Sequence, residues 1–584
     1  MKTSKTIIMI FGIFIFLGFL TAGCSIFSNT ATQAPLATLR PTATHEPTTP
    51  APSVFYIAPD GGGDYTSIEA ALAEAGQDVT LELAPGIHTL EEALVINQSI
   101  TLRGAGSNMT SIVSDASNGL FSFVGTGINV TLEGIHFDYQ GSDPSHVVSI
   151  IGPAFQINDS RFSGGISSDQ EGEIAGDGLY ISYPSSGTIA NSRFDNNQKI
   201  GLSVTGNLTI TVDESLFESN GVDGLGLFNG TNGTITNSTS QDNALCGFET
   251  TRDSQGVFIN ASASGNLVGF CAFQEANITV TGSQVFSNER EGFVIRDDAQ
   301  ALLEDNQIYN NEDGIFGLDN ATLEILNNQV YENIGSAITF DQQASGVIQN
   351  NTCRDNALAA IYIQGEASAD ILENHIYQNG LTGIIVNFTA SATIADNTIN
   401  DNLEGGISMI NNSTGTILRN TVYGNAFSGI MIQESASTLI EDNTIHANTS
   451  MGVRISFNGH ADVINNRIYE NDRSGIMLVN DATAVIKNNT IEGNLEAGIG
   501  LLDDAAAEII ENQLLQNGYS GVVVASNAHG VVTDNTINDN VESAIFFNDT
   551  ASGEVTGNQC SGNAFGITLV GSANPTLGEN QCQP

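Results

Sequence analysis

Asn374-His-Ile-Tyr-Gln-Asn379 and, 23 residues on, Asn397-Thr-Ile-Asn-Asp-Asn402 are two copies of one phrase. Its leading Asn returns at 328, 351, 374, 397, 420, 443, 466, 489, 512, 535 and 558, every step being 23 residues. A fixed period of this size marks a solenoid: one repeat cannot exclude water from its own apolar residues, so it is stable only when stacked on its neighbours. Within the period, three short patches alternate apolar and polar residues, as half-buried strands do. Ile371, Ile394 and Ile417 stand three before the leading Asn, Ile376, Ile399 and Val422 two after it, and Ile384, Ile407 and Ile430 ten after it. Stacked, these columns make three parallel sheets around a narrow aliphatic interior. The expected fold is all-β: a single-stranded right-handed parallel β-helix, a three-sheet solenoid of about 20 or more coils.

Counted backward, the register passes through Asn306, Ser283, Asn260, Asn237, Glu214 and Asn191, and forward it ends at Asn580, which makes eighteen coils. Asn tolerates the left-handed backbone of a sharp corner, and amides stacked one coil apart can bond along the column, so the Asn columns are expected to be corner ladders rather than ligands. Residues 54–190 are the looser part of the body and residues 191–584 the regular part. Strand-like stretches such as Val79-Thr-Leu-Glu-Leu83 and Val130-Thr-Leu132 continue the fold into the looser part.

Ahead of the body, Lys2 and Lys5 precede an apolar run from Ile7 to Leu20, then Thr21, Ala22, Gly23 and Cys24. This is the layout of a secretory signal over residues 1–23. Its end resembles a bacterial lipobox, which implies that Cys24 is acylated and anchors the chain to a membrane outside the cytoplasm. Thr21 stands where lipoboxes more often carry Leu, and an uncleaved signal anchor is the alternative. Residues 24–53 hold Pro35, Pro41, Pro47, Pro50 and Pro52 among Thr and Ala, a composition expected of an extended tether.

Charge narrows the partners. Lys and Arg number 16 against 65 Asp and Glu, for a net charge of −49, so a nucleic-acid backbone would be repelled. Strongly anionic glycans would need bridging divalent cations, whereas neutral glycans feel little of this field.

The stretch from Asp60 to Leu72, Asp-Gly-Gly-Gly-Asp-Tyr-Thr-Ser-Ile-Glu-Ala-Ala-Leu, followed by Ala84-Pro-Gly-Ile-His88, resembles the opening of pectin-lyase-like β-helix proteins. The resemblance implies a short N-terminal helix that caps the first coil, and with the Asn-Xaa-Ile repeats it extends over residues 54–584. That superfamily includes lyases, hydrolases, esterases, epimerases and adhesins, so it implies a fold more than an activity. The repeat phrase is also shared with copper-associated NosD-type proteins, which implies a metal-accessory alternative, but the eight His and seven Met are scattered.

Candidate chemistry is sparse. The Asn-Thr-Asp, Gly-His-Gly and Arg-Ile-Lys phrases of polygalacturonases are missing. Asp143-Pro-Ser-His146 approaches the Asp-Pro-His phrase of mannuronan epimerases with a Ser inserted, making Asp143 and His146 catalytic candidates beside a plain Pro turn. Arg161 and Arg193 lie in two Ser-Arg-Phe phrases set 32 apart, so about nine residues must leave the coil as a loop, where function tends to sit. This loop carries Asp169, Glu171, Glu173 and Asp177, which are calcium-ligand candidates or, alternatively, a hydrated acidic surface. Asp177 with Arg161 or Arg193 is the candidate machinery if the chain is a lyase or epimerase. Three past the leading Asn, an outward column of Tyr309, Tyr331, Tyr377, Tyr423 and Tyr469, interrupted by Arg354, Asn400 and His446, could stack on sugar rings or simply cover the sheet. Cys560 and Cys582 fall in one inward column on successive coils, within disulfide reach, whereas Cys246, Cys271 and Cys353 look like small core residues or unpaired thiols. The leading expectation is a surface-anchored β-helix that binds extracellular carbohydrate or envelope material.

Overall fold

The computed structural model describes residues 53–168, 170 and 174–582. Cys24, the tether and the loop residues Asp169, Glu171 and Glu173 lie outside the described residues. Each coil visits three sheets in turn, as in Ser368–Leu372 on sheet 1, His375–Tyr377 on sheet 2 and Ile384–Val386 on sheet 3. Every strand pairs in parallel with its counterpart one coil away, in register: Ile371 with Ile394, Ile376 with Ile399, Ile384 with Ile407. Sheet 1 alone has 23 strands. The chain is thus the expected all-β, three-sheet parallel solenoid, and its interior is one continuous column of fully buried Ile, Val, Leu, Ala and Phe.

Among the described residues there is one helix, Ile68–Glu74, which starts at Ser67, whose Oγ accepts the Ala70 N–H at 3.2 Å. Its Ile68 and Ala71 cover the first coil, so the chain does not leave an open apolar end there. Among the described residues no helix is long and apolar enough to cross a membrane.

The corners explain the Asn columns. The Asn443 Oδ1 accepts the Asn420 N–H at 2.8 Å, and its Nδ2 donates to Ile417 O at 2.8 Å, Glu441 O at 3.0 Å and the next amide, Asn466 Oδ1, at 3.0 Å. Each amide thereby satisfies backbone groups that no ladder strand can reach. The left-handed residue is the one before the Asn, such as Asp442 at φ 57°. Before Ser283 the register differs from the expected one by a single residue. Asn191, Glu214, Asn237 and Asn260 are themselves the left-handed corner residues, and Ser192, Ser215, Ser238 and Ala261 take the ladder position. The cause is a 22-residue coil between Ala261 and Ser283, where a constant step of 23 misplaces everything upstream.

Cysteine usage also departs from expectation. Cys246 and Cys271 form a disulfide, whereas neither was expected to pair. Both point away from the core, into a small separate cluster with Val268. Their link is diagonal: Cys246 pairs in register with Val268, three residues short of Cys271, so no shared column announces it. Cys560 and Cys582 are bonded across the last two coils. Cys353 is free and buried, its thiol pushed up to about 12 by burial, which makes it an inert core residue.

Candidate functional site

Outward side chains on sheet 3 form a second column that the inward periodicity does not report. From the N-terminal side it runs Tyr180, Ser203, Gly226, Glu249, Cys271, Val294, each pairing in register with the next. Over this stretch the surface is concave, an open groove of about 450 Å³. Asp177 and Lys199 stand at the corner between sheets 2 and 3, Arg252 and Arg296 at the corner between sheets 3 and 1, and Phe228 and Phe273 lie between the walls. In a chain with so few cations, three of them line this groove, facing Asp177, Glu249 and Asp297, so the charges of the lining balance. The Arg296 guanidinium lies 4.3 Å over the Phe273 ring. Gly226 has a specific role here: a Cβ on it would come within 2.3 Å of the Phe228 ring, so only Gly lets that ring lie across the column.

Beneath the groove lies a carboxyl pair. Asp223 sits at the corner just before Gly224, is 2% exposed, and accepts the Cys246 N–H at 2.9 Å. Its other contact is the Glu249 carboxyl, which reaches back from the next coil. Burial first, then the Glu249 charge and their mutual hydrogen bond, hold the Asp223 carboxyl well above the usual carboxylate range. Asp177 occupies the equivalent corner two coils earlier, accepting the Ile200 N–H at 3.2 Å, and adds to the negative field at Asp223. Glu291 and Asp313 take the same corner position further on, and burial raises both.

The raised Asp223 value has a stability consequence. With its folded value above the ordinary 3.8, the group stabilises the fold fully only below that ordinary value and loses the contribution as pH climbs through the folded one. Asn cannot ionise, so Asp223→Asn is expected to raise the melting temperature at pH 7 by more than at pH 4. Equal shifts at both pH values would contradict the raised Asp223 value.

The expected site residues divide into three places. His146 and Asp177 come together: the Asp177 Oδ2 lies 3.2 Å from His146 Nδ1, and the imidazole stacks on Tyr180 at 4.6 Å, at the end of the groove. Asp143 is exposed in the preceding loop, its backbone carbonyl accepting the Tyr139 hydroxyl at 3.1 Å. Arg161 and Arg193 are on sheet 2, away from the groove lining, and both bind Asp195, which is fully buried. The Asp195 hydrogen bonds raise the Arg161 pKa further. Beside them Ser163 bridges His136 at 2.7 Å and Asp138 at 3.0 Å, and burial, then the Arg161 charge, lower the His136 pKa.

The tyrosines stand in their column on sheet 2. Tyr309 and Tyr331 stack at 5.0 Å and 5°, Tyr423 and His446 at 5.1 Å and 2°, and His446 and Tyr469 at 4.7 Å and 9°. Tyr377 tilts against His375 at 4.5 Å instead. Within the stacks the ring faces are turned on one another along the coil axis, which leaves edges and hydroxyls outward. Among the described residues no group of three His, Cys, Asp or Glu side chains is placed to hold a metal ion.

A family model described as "Right handed beta helix region" matches residues 95–250, 210–345, 313–466 and 428–582. Among curated proteins none matches the chain. Solved structures with a similar fold include the Agl-KA catalytic domain, at 16% identity and TM-score 0.39, covering 52% of this chain and 64% of that one. Pectate lyase Pel9A is similar at 18% identity and TM-score 0.29, with 54% and 76% covered. The A-module of the Azotobacter vinelandii mannuronan C-5 epimerase AlgE4 is similar at 16% identity and TM-score 0.24, with 61% and 88% covered. This chain thus spans less than two thirds of the Agl-KA catalytic domain.

Proposed function

The chain belongs to the right-handed β-helix family, and on that premise we propose that it is an exported carbohydrate-binding protein that holds a glycan in the sheet-3 groove. In this reading residues 1–23 direct export, Cys24 carries the lipid and the tether presents the solenoid outside the cytoplasm. The observation that supports it most is the groove itself, where the rings of Tyr180 and Phe273 stand beside fixed charged and hydrogen-bonding groups. Sugars need that combination, because their C–H faces pack on rings while their hydroxyls require directed polar partners. Calorimetric titration with neutral and uronate oligosaccharides, on wild type and Tyr180→Ala, tests it. Loss of one aromatic platform should weaken binding by about tenfold. Oligosaccharide binding unchanged by the substitution would refute the groove as the site.

A second reading, polysaccharide cleavage, is favoured by the Asp223–Glu249 pair, since a general acid requires a carboxyl held above the usual carboxylate range, as burial and the Glu249 charge hold Asp223. New reducing ends that Glu249→Gln abolishes, with binding kept, would favour this reading over simple retention of the glycan.

A further inference from the structure

The outward column of sheet 3 runs on past the groove. Beyond Val294 the outward column continues through Phe316, Thr339 and Tyr362 to Ile385, all uncharged. Four coil steps, about 19 Å at the spacing of paired strands, separate the two ends of that lane. At its far end lies a trough of about 410 Å³. Ile385, Ser408 and Met431 form its floor, and Leu403 and Phe427 form the wall on the corner between sheets 2 and 3. Leu403 is 67% exposed and Phe427 39%, large apolar side chains that none of the described residues covers. Glu404 is the only charged residue of the lining.

We infer that the trough is a distal binding site for the same ligand as the groove, and that this ligand is a long uncharged polysaccharide lying along the coil axis. The inference rests on the glycan reading of the groove and adds the class of glycan. Three features select the occupant. An anionic polymer would find no cation in the trough and meet Glu404 within a strongly negative chain. An apolar floor interrupted by the Ser408 hydroxyl, with Gln433 at the rim, suits a chain of sugar rings that is apolar on its faces and polar at its edges. The lane from Val294 to Ile385 is free of charge, so a neutral polymer seated in the groove can reach the trough without crossing an ionic group. Two linked contacts then act as one, and binding strengthens with chain length.

The test compares a soluble neutral β-glucan with its hexasaccharide on the full chain, the double variant Leu403→Ser/Phe427→Ser, and Tyr180→Ala. Both trough side chains are exposed, so the double variant should fold. Wild type is expected to bind the polymer at least about tenfold more tightly than the hexasaccharide, the effect of one added apolar anchor. The double variant should lose that gain with hexasaccharide binding unchanged, while Tyr180→Ala weakens both. Equal polymer binding by wild type and the double variant would overturn the inference and leave the groove reading standing. So would retention on phosphatidylcholine vesicles that the double variant loses, since it would make lipid the occupant. If hexasaccharide binding ignores Tyr180 while the polymer still needs Leu403 and Phe427, the groove reading fails and the trough stands. If no neutral glycan binds wild type, both fail.

Discussion

Asn443→Asp is expected to cost about 3–5 kcal/mol of stability in urea denaturation, the scale of an uncompensated buried charge. The substitution changes one atom, replacing the Nδ2 donor by an oxygen. That oxygen would face Ile417 O, Glu441 O and Asn466 Oδ1, all acceptors that now receive the amide protons. Water cannot relieve the conflict, because Asn443 is 1% exposed. Asn443→Ser is expected to cost much less. Ser already holds the equivalent place in the N-terminal coils, where Ser215 Oγ accepts the Ser192 N–H at 3.2 Å. An Asp variant as stable as wild type would mean that the ladder is a consequence of stacking and contributes nothing to it.

Asp195→Ala is expected to cost about 3 kcal/mol, most of it from leaving the Arg161 guanidinium without its partner. Arg161 donates to both carboxylate oxygens, at 2.7 and 2.6 Å, and Asn196 Nδ2 donates to Oδ2 at 2.5 Å. Arg193 would keep Glu218, so the loss falls on one cation rather than two. Replacing both partners with apolar residues, Arg161→Met with Asp195→Leu, should recover most of the stability, because no charge is then stranded. A double variant no better than Asp195→Ala would show that packing, and not the stranded charge, sets the cost.

What could be read from the sequence was what points inward. Ile371, Ile376, Ile384 and their counterparts recur because every coil must fill the same narrow interior, so coil length, sheet number and core columns were all legible. The capping helix was legible only through resemblance. Outward chemistry follows no such rule. Asp223 and Glu249 belong to neighbouring coils and different positions in the repeat, so no single column pairs them. A signal did exist: the residue before the corner Gly is Ser, Thr, Ala or Gly in most later coils, but Asp at 177, 223 and 313 and Glu at 291. The Cys246–Cys271 link and the corner register upstream of Ser283 were lost for a related reason. Both turn on coils of 22 residues, and one residue of slip changes which side chains meet.

Arg161 and Arg193 show the same limit from the opposite direction. Flanking the longest loop, they are catalytic candidates in the sequence, and in the fold both pair with the buried Asp195 on sheet 2, away from the groove lining. Asp177 was placed by the same loop argument and does reach the groove, because it closes the loop at the corner that leads into sheet 3.

A crystal of the full chain grown with a neutral hexasaccharide would decide where carbohydrate is held. Sugar rings should lie over the Tyr180, Ser203 and Glu249 column, with at least one ring face against Tyr180 or Phe273. An oligosaccharide bound at full occupancy on another face, with the sheet-3 groove still filled by water, would contradict it.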